Sequence, residues 1–371
     1  MFKKITLLFL FFTLSSCLYP KITIKGKGNI KLTEVSFLEL REWENTNQRL
    51  ALLSFLNSCK KFAKMPQSRS VGGQIGNITA SDFRDVCEIG EVVKGLSDNQ
   101  IKNFFENWFK PFLISDRKNK SNGLFTGYYE ASLNGSKTKS EKYKFPIYAK
   151  PSDLGAEPYL TRAEIEGGAL ENKGLELFYV DDEVELFFMH IQGSGRIKLP
   201  SGSVVRVAFA AKNNLPFSAI SNYLLDNKLL KPNEISAQNI KKWLKENPKE
   251  AREAMNFNAS YIFFKTSADE FVVGGQGVEL TAEHSLAVDS DIIPYGMPLW
   301  LETKVGGKDY NKLFIAQDTG SAIKGVVRGD IFFGYGLEAE DKASSMAFSG
   351  QYYALLPNNV VEKINNRSSR W

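Results

Sequence analysis

The stretch from Leu313 to Gly325 constrains this chain more than any other. Leu313-Phe314-Ile315-Ala316 is an apolar run that reads as a strand, and it delivers Asp318 to a glycine-punctuated turn, Thr319-Gly320-Ser321-Ala322-Ile323-Lys324-Gly325. Asp330 ends the next segment, Val326-Val327-Arg328-Gly329, and Asp289 closes the upstream strand Ser285-Leu286-Ala287-Val288. Three carboxylates at strand ends in one compact region point to a cluster. Clustered carboxylates push one another's pKa values apart, so that one can stay protonated near neutral pH and act as a general acid.

The rest of the chain is organised around short strands. Gly123–Ser132, Tyr143–Ala149, Val184–Gln192 and Val204–Ala211 are β-branched or aromatic runs split by Gly, Ser and Lys turns. Strands dominate again from Ser260, over 260–265, 270–273, 285–288, 297–303, 312–316 and 328–333. Helices are predicted over 37–56, over 99–109 (Ile101, Phe104, Phe105 and Trp108 at helical spacing), near 217–226 and near 236–255. Thr161-Arg162-Ala163-Glu164 is a capping box that opens a short helix. No internal repeat is present. This pass supports two β-rich lobes with flanking helices.

Residues 1–17 read as an export signal, with Lys3 and Lys4 before the apolar run Ile5–Leu14. Leu14-Ser15-Ser16-Cys17 is similar to a bacterial lipobox, which implies cleavage before Cys17 and lipid attachment to it. Leu18 stands where an aspartate would resemble an inner-membrane retention signal, so the outer membrane, facing the periplasm, is the expected location. Residues 18–34 are rich in Lys, Gly and Thr and suggest a flexible tether. Loss of residues 1–16 lowers Lys+Arg from 47 to 45 against 42 acids. That balance is too mild to argue for nucleic acid. Two cysteines remain, Cys59 and Cys87, which form a candidate disulfide in an oxidising compartment, with two buried thiols as the alternative. The two histidines, His190 and His284, have no zinc-ligand spacing.

Two further motifs complete the pattern, Phe125-Thr126-Gly127-Tyr128-Tyr129-Glu130 and His190-Ile191-Gln192-Gly193-Ser194-Gly195-Arg196. With the Asp318 stretch, Asp330 and Ala287-Val288-Asp289, the chain resembles the MltA family of lytic murein transglycosylases from about Leu52 onward. The resemblance implies a three-aspartate double-psi β-barrel made of residues 35–126 and 251–371. It also implies an inserted β-rich glycan-binding domain at 127–250 and a groove between the two. The implied substrate is the peptidoglycan glycan strand, cut without water and without a cofactor. The chain departs from the family pattern at Ala131, at Ser321 and at Glu283-His284, none of which removes a carboxylate.

The resemblance assigns Asp318 as the catalytic acid and base. Taken alone, an Asp before Thr-Gly is equally a turn former. Asp289 and Asp330 are supporting carboxylates on this reading, or loop aspartates bonded to backbone. Tyr128, Tyr129, Gln192, Gly193, Ser194, Arg196, Thr319, Lys324 and Arg328 are candidate substrate-binding residues. Tyr128 and Tyr129 point to opposite faces of a strand, so one lines the groove and the other packs in the core. Glu130 reads as a surface charge, with a second carboxylate across the groove as the alternative, and His190 as a satisfied core residue. A hydrolase on the same barrel and a non-catalytic wall-binding lipoprotein remain alternatives.

Overall fold

The computed structural model describes residues 21–368. The export signal, Cys17 and the first residues of the expected tether lie outside the described residues. The remainder of that tether is sheet: β1 (Thr23–Lys25) and β2 (Ile30–Glu34) pair antiparallel and bury Ile24, Ile30 and Leu32. Apolar residues at every second position give the hairpin a buried face despite its polar composition.

Three helices follow, α1 (Arg49–Ala63), α2 (Arg84–Val93) and α3 (Asp98–Trp108). The helix expected from Phe37 starts only at Arg49. Ser36 and Glu39 form a capping box on a single tight turn, and Glu42 adopts a left-handed conformation (φ 62°) that stops propagation. This break lets Trp43 bury its ring against Phe37, Phe105 and Trp300 while its indole N–H donates to Glu106. A disulfide joins Cys59 of α1 to Cys87 of α2, with the Cα atoms 5.5 Å apart.

Next come β3 (Phe109–Asp116), β4 (Gly123–Ser136), β5 (Phe145–Tyr148), the single turn α4 (Arg162–Glu164) and β6 (Glu176–Val180). The run expected as a strand at 184–192 is instead helix α5 (Glu183–Gln192). Asp182 caps its first turn by accepting from the amides of Val184 and Glu185, and Gly193 ends it at φ 81°. The helix reads like a strand because Val184, Leu186, Phe187, Phe188 and Met189 are buried on several sides of it. Consequently Gln192–Arg196 follows a helix and opens β7 (Ser194–Lys198).

The chain continues through β8 (Val204–Lys212), α6 (Ile220–Asp226), α7 (Ala237–Glu246) and α8 (Pro248–Asn256). Pro248 at the start of α8 divides the single helix expected over 236–255. Then follow β9 (Ile262–Ser267), β10 (Ser285–Val288), β11 (Pro298–Val305), β12 (Lys308–Asp318), β13 (Arg328–Tyr335), α9 (Leu337–Ser344), β14 (Ala347–Pro357) and α10 (Asn358–Ser368). The strand expected at 270–273 is a loop with one bridge, Val273 to Glu279.

Among the described residues, β14, β11, β12, β10, β13 and β4 form a closed ring, because β4 also pairs with β14. The β10–β12 and β13–β4 pairs are parallel and the others antiparallel. Phe125, Leu286, Leu299, Ile315, Ile331 and Tyr352 are fully buried in it. The later half of β4 leaves the ring and pairs parallel with β7, and β8 and β9 extend that second sheet. The second sheet therefore reaches Ser267, past the boundary expected at 250. Its helices α5 to α8 close over Phe187, Phe188, Leu224, Leu244 and Met255. Lys241 ties the two parts together, donating to Glu185 and to Glu340, each at 2.6 Å.

The Cys59–Cys87 link closes a loop with a sequence separation of 28. In the chain-entropy model such a loop contributes about 3–4 kcal/mol. Replacing both cysteines by serine is expected to lower the unfolding free energy by about that amount, read from urea unfolding of the form lacking residues 1–17.

Candidate active site

β12 carries Asp318 at its last position. The residue before it, Gln317, is completely buried and holds the strand end in place. Its amide N donates to the Ser54 carbonyl at 2.7 Å and to Ser58 Oγ at 2.9 Å, while its oxygen accepts from Ser54 Oγ and Ser285 Oγ at 2.8 and 2.6 Å. Both serines of α1 point inward, one turn apart, so the helix and β12 are locked through one amide. Nothing in the local sequence marks Gln317 for this role, because Ser54 and Ser58 lie more than 250 residues upstream in α1.

Asp318 is half-buried, with its carboxyl group surrounded by donors. Oδ2 accepts from Tyr128 Oη at 2.6 Å, and Oδ1 accepts from the backbone amides of Gly275 and Thr319, both at 2.8 Å. Gly275 comes this close only because it has no side chain, since a Cβ there would sit 2.6 Å from Tyr295 Oη. Burial pushes the carboxyl pKa up, and the three donors pull it back. Hydrogen bonds to a charged group contribute about 1.5–3 kcal/mol each, against a desolvation penalty of several kcal/mol. Burial is the largest of these effects, and the net direction is upward.

Asp330 lies across β10 from Asp318, for Ala287 of β10 is the register partner of both. Burial pushes Asp330 up to about 6, with Arg328 and the Thr126 hydroxyl opposing and the negative charge of Asp318 adding. Thr126 Oγ1 donates to Asp330 Oδ1 at 2.5 Å, and Arg328 donates to Thr126 at 2.8 Å. Like-charge repulsion, expected to act on Asp318, thus appears on Asp330. Tyr128 faces both carboxylates, and burial followed by the Asp318 charge holds its hydroxyl protonated. Asp289 has a different task. It accepts from the Gly325 amide at 2.9 Å and from Lys324 at 3.2 Å, so it ties down the 319–325 turn. Lys324 is held there between Asp289 and Asp291.

Residues 124–265 match the MltA specific insert domain and residues 284–356 match the 3D domain. The curated membrane-bound lytic murein transglycosylase A of Escherichia coli K12 is 34% identical over 246 residues, covering 64% of this chain and 66% of that protein. The crystal structure of a membrane-bound lytic murein transglycosylase from Agrobacterium tumefaciens is 32% identical, with a TM-score of 0.81. That match covers 91% of this chain and all of the solved one. The chain belongs to the MltA family of lytic murein transglycosylases. E. coli MltA with bound chitohexaose is also similar, at 27% identity, a TM-score of 0.68 and coverage of 82% and 90%.

The family-derived residues separate into two groups in this MltA-family chain. Asp318, Tyr128, Thr319, Asp330 and Arg328 come together. Thr319 Oγ1 also donates to the Val288 carbonyl at 2.9 Å, joining the turn to β10. Ser194 lies on the face of the second sheet that continues from Tyr128 through Glu130, by the register of β4 with β7. Tyr129 takes the opposite face, buried, with its hydroxyl bound to Glu340 and Lys241. Gln192 accepts from the Tyr129 amide, Gly193 is a helix cap, and Arg196 is bound to Glu130. Glu130 is not a surface charge, for it is fully buried between Arg196 and Arg206. His190 is buried, beside Arg162.

The raised pKa of Asp330 makes a stability prediction. Its folded value of about 6 lies above the ordinary 3.8, so its stabilising contribution is present below pH 4 and is lost as pH rises through 6. Asp330→Asn is expected to match wild type at pH 4 and to exceed it by about 1–3 kcal/mol at pH 8, followed as the difference in unfolding free energy across pH.

Proposed function

We propose that this chain cuts the β-1,4 bond between N-acetylmuramic acid and N-acetylglucosamine in peptidoglycan without water, leaving 1,6-anhydromuramic ends. The observation that carries the reading is the setting of Asp318. Burial favours its protonated form, while Tyr128 and two amides stand ready for its anion. Asp318 protonates the leaving oxygen as the bond to the muramic C1 breaks. It then accepts the proton of the muramic C6 hydroxyl, which attacks C1 and closes the anhydro ring. One group returns to its starting state, so neither a second carboxylate nor a water is consumed. Asp330 and Tyr128 set the proton affinity, and Asp289 with Lys324 shapes the turn that carries Thr319.

The fold is read as a double-psi barrel, supported by the closed six-strand ring with its two parallel pairs, interrupted by an insertion of about residues 127–267. The glycan lies between the two, along the face carrying Tyr128 and Ser194. Chitohexaose bound to E. coli MltA supports a glycan ligand of this kind. The lipobox-like Leu14–Cys17 supports anchoring at the outer membrane facing the periplasm. Relatives are named membrane-bound, and among the described residues no helix is long and apolar enough to cross a membrane.

Mass spectrometry of muropeptides released from purified sacculi by the form lacking residues 1–17 tests the chemistry. Products one water lighter than hydrolysed muropeptides are expected, with Asp318→Asn reducing their release by about 10²–10⁴-fold while remaining folded. Reducing-end products would reassign the chain as a hydrolase. No release by either protein would make it a wall-binding module.

A further inference from the structure

The two partners that reach Asp318 from outside its own turn, Gly275 and Tyr128, depend on a group that the reaction does not touch. Glu130 lies two residues beyond Tyr128 on the same face of β4, and its carboxylate is fully buried. Oε2 accepts from Arg196 Nε at 2.6 Å, and Oε1 accepts from Arg206 Nε and Nη2, both at 2.7 Å. The two guanidinium groups, fixed in this way, turn their remaining donors onto one stretch of backbone. Arg206 Nη1 donates to the carbonyls of Asp269 (2.8 Å) and Phe271, and Arg196 Nη2 donates to that of Glu270 at 3.4 Å. Three successive carbonyls are therefore held by arginines that share one carboxylate. Outside the bridge at Val273 this stretch belongs to no strand.

The same stretch runs directly into the site. Val272 packs with Leu280, Phe332 and the Tyr128 ring. The amide of Leu280 donates to the Val272 carbonyl and that of Gly274 to the Val278 carbonyl, closing a turn. Gly275, four residues beyond the last clamped carbonyl, then presents its amide to Asp318. A buried ion group of this kind is a weak source of stability, because apolar residues of similar volume commonly serve as well. Its forked geometry is what an apolar replacement would lack. Lysine at either position keeps the charge and loses the fork.

We propose that Glu130 and Arg206 are positioning residues for the reaction at Asp318, acting through residues 269–275 and the Tyr128 ring. The proposal rests on Asp318 as the acid and base. The titratable groups facing Asp318 are Tyr128 from β4, Asp330 from β13 with Arg328 beside it, and Tyr295 from the turn before β11. None of them is changed by a substitution at Arg206, so a shift in the titration of Asp318 reports on Gly275 and on the seating of Tyr128.

Arg206→Lys is the first variant and Glu130→Gln the second, in the form lacking residues 1–17 with sacculi as substrate. Release is expected to fall about 10–100-fold, mainly in kcat. A lost amide donor leaves the Asp318 proton more tightly held, so the alkaline limb of the pH–rate profile is expected to move to higher pH. Hydrogen exchange of the peptide spanning 270–281 is expected to quicken, with β13 unchanged. The exchange measurement stands apart from catalysis, so it judges the clamp even if Asp318→Asn proves active and the acid assignment fails. Unchanged exchange at 270–281 would overturn the proposal. So would lost activity with an unmoved alkaline limb and a matching loss of thermal stability, since that is what a purely structural role produces.

Discussion

One strand belongs to two sheets, and the rest of the molecule is arranged around that fact. β4 pairs with β13 and β14 through its first residues and with β7 and β6 through its last. Its fourteen residues cover both sheets without a turn, so the second sheet cannot swing at this point without breaking strand pairing. Thr126 and Tyr128, on one face near the middle, reach the two carboxylates, and Glu130 on the same face organises the arginines of β7 and β8. The two-residue period of a strand thus converts three neighbouring positions into a bond to Asp330, a bond to Asp318 and an anchor for the facing sheet. Tyr129, on the other face, is spent on the contact with α9.

Much of the site was legible because its signals are local. An apolar strand followed by Asp-Thr-Gly places a carboxylate at a strand end whatever the surrounding fold, and Asp318 closes β12 while Asp289 directly follows β10 as that reasoning expects. Asp330 instead lies inside β13, two residues past its start, because pairing with β4 and β10 begins at Arg328 and Gly329. The alternation rule also separated Tyr128 from Tyr129, though it does not say which faces the site. Misreadings arose where the deciding interaction was distant or where local rules conflicted. Glu130 resembled a surface charge because its partners are 66 and 76 residues away. α5 resembled a strand because helices buried on several sides lose their polar stripe, although Asp182 and Gly193 mark both of its ends. The N-terminal hairpin was hidden by its lysines, which lie on the exposed face of strands whose inward face is Ile24, Ile30 and Leu32.

The surroundings of Asp318 suit the acid and base we propose it to be, a group that must both give and receive a proton. Before transfer, the buried carboxyl is favoured in its neutral form. After transfer, the anion is met by three donors already in place, two of them backbone amides that need no reorganisation. A site with burial alone would hold the proton too tightly to release it. A site with donors alone would keep the group ionised and unable to start. Burial is the larger of the opposing effects on Asp318, and the three donors temper it, which suits the double role proposed for this group. Asp330, held up by its own burial and by the charge of Asp318, adds a neighbour whose ionisation responds to the first group's state. Such a balance depends on distances set by β12, by the 269–275 loop and by β4 together. That explains why the residues that position them, Gln317 and Glu130, are completely buried, while Asp318 itself is only half-buried.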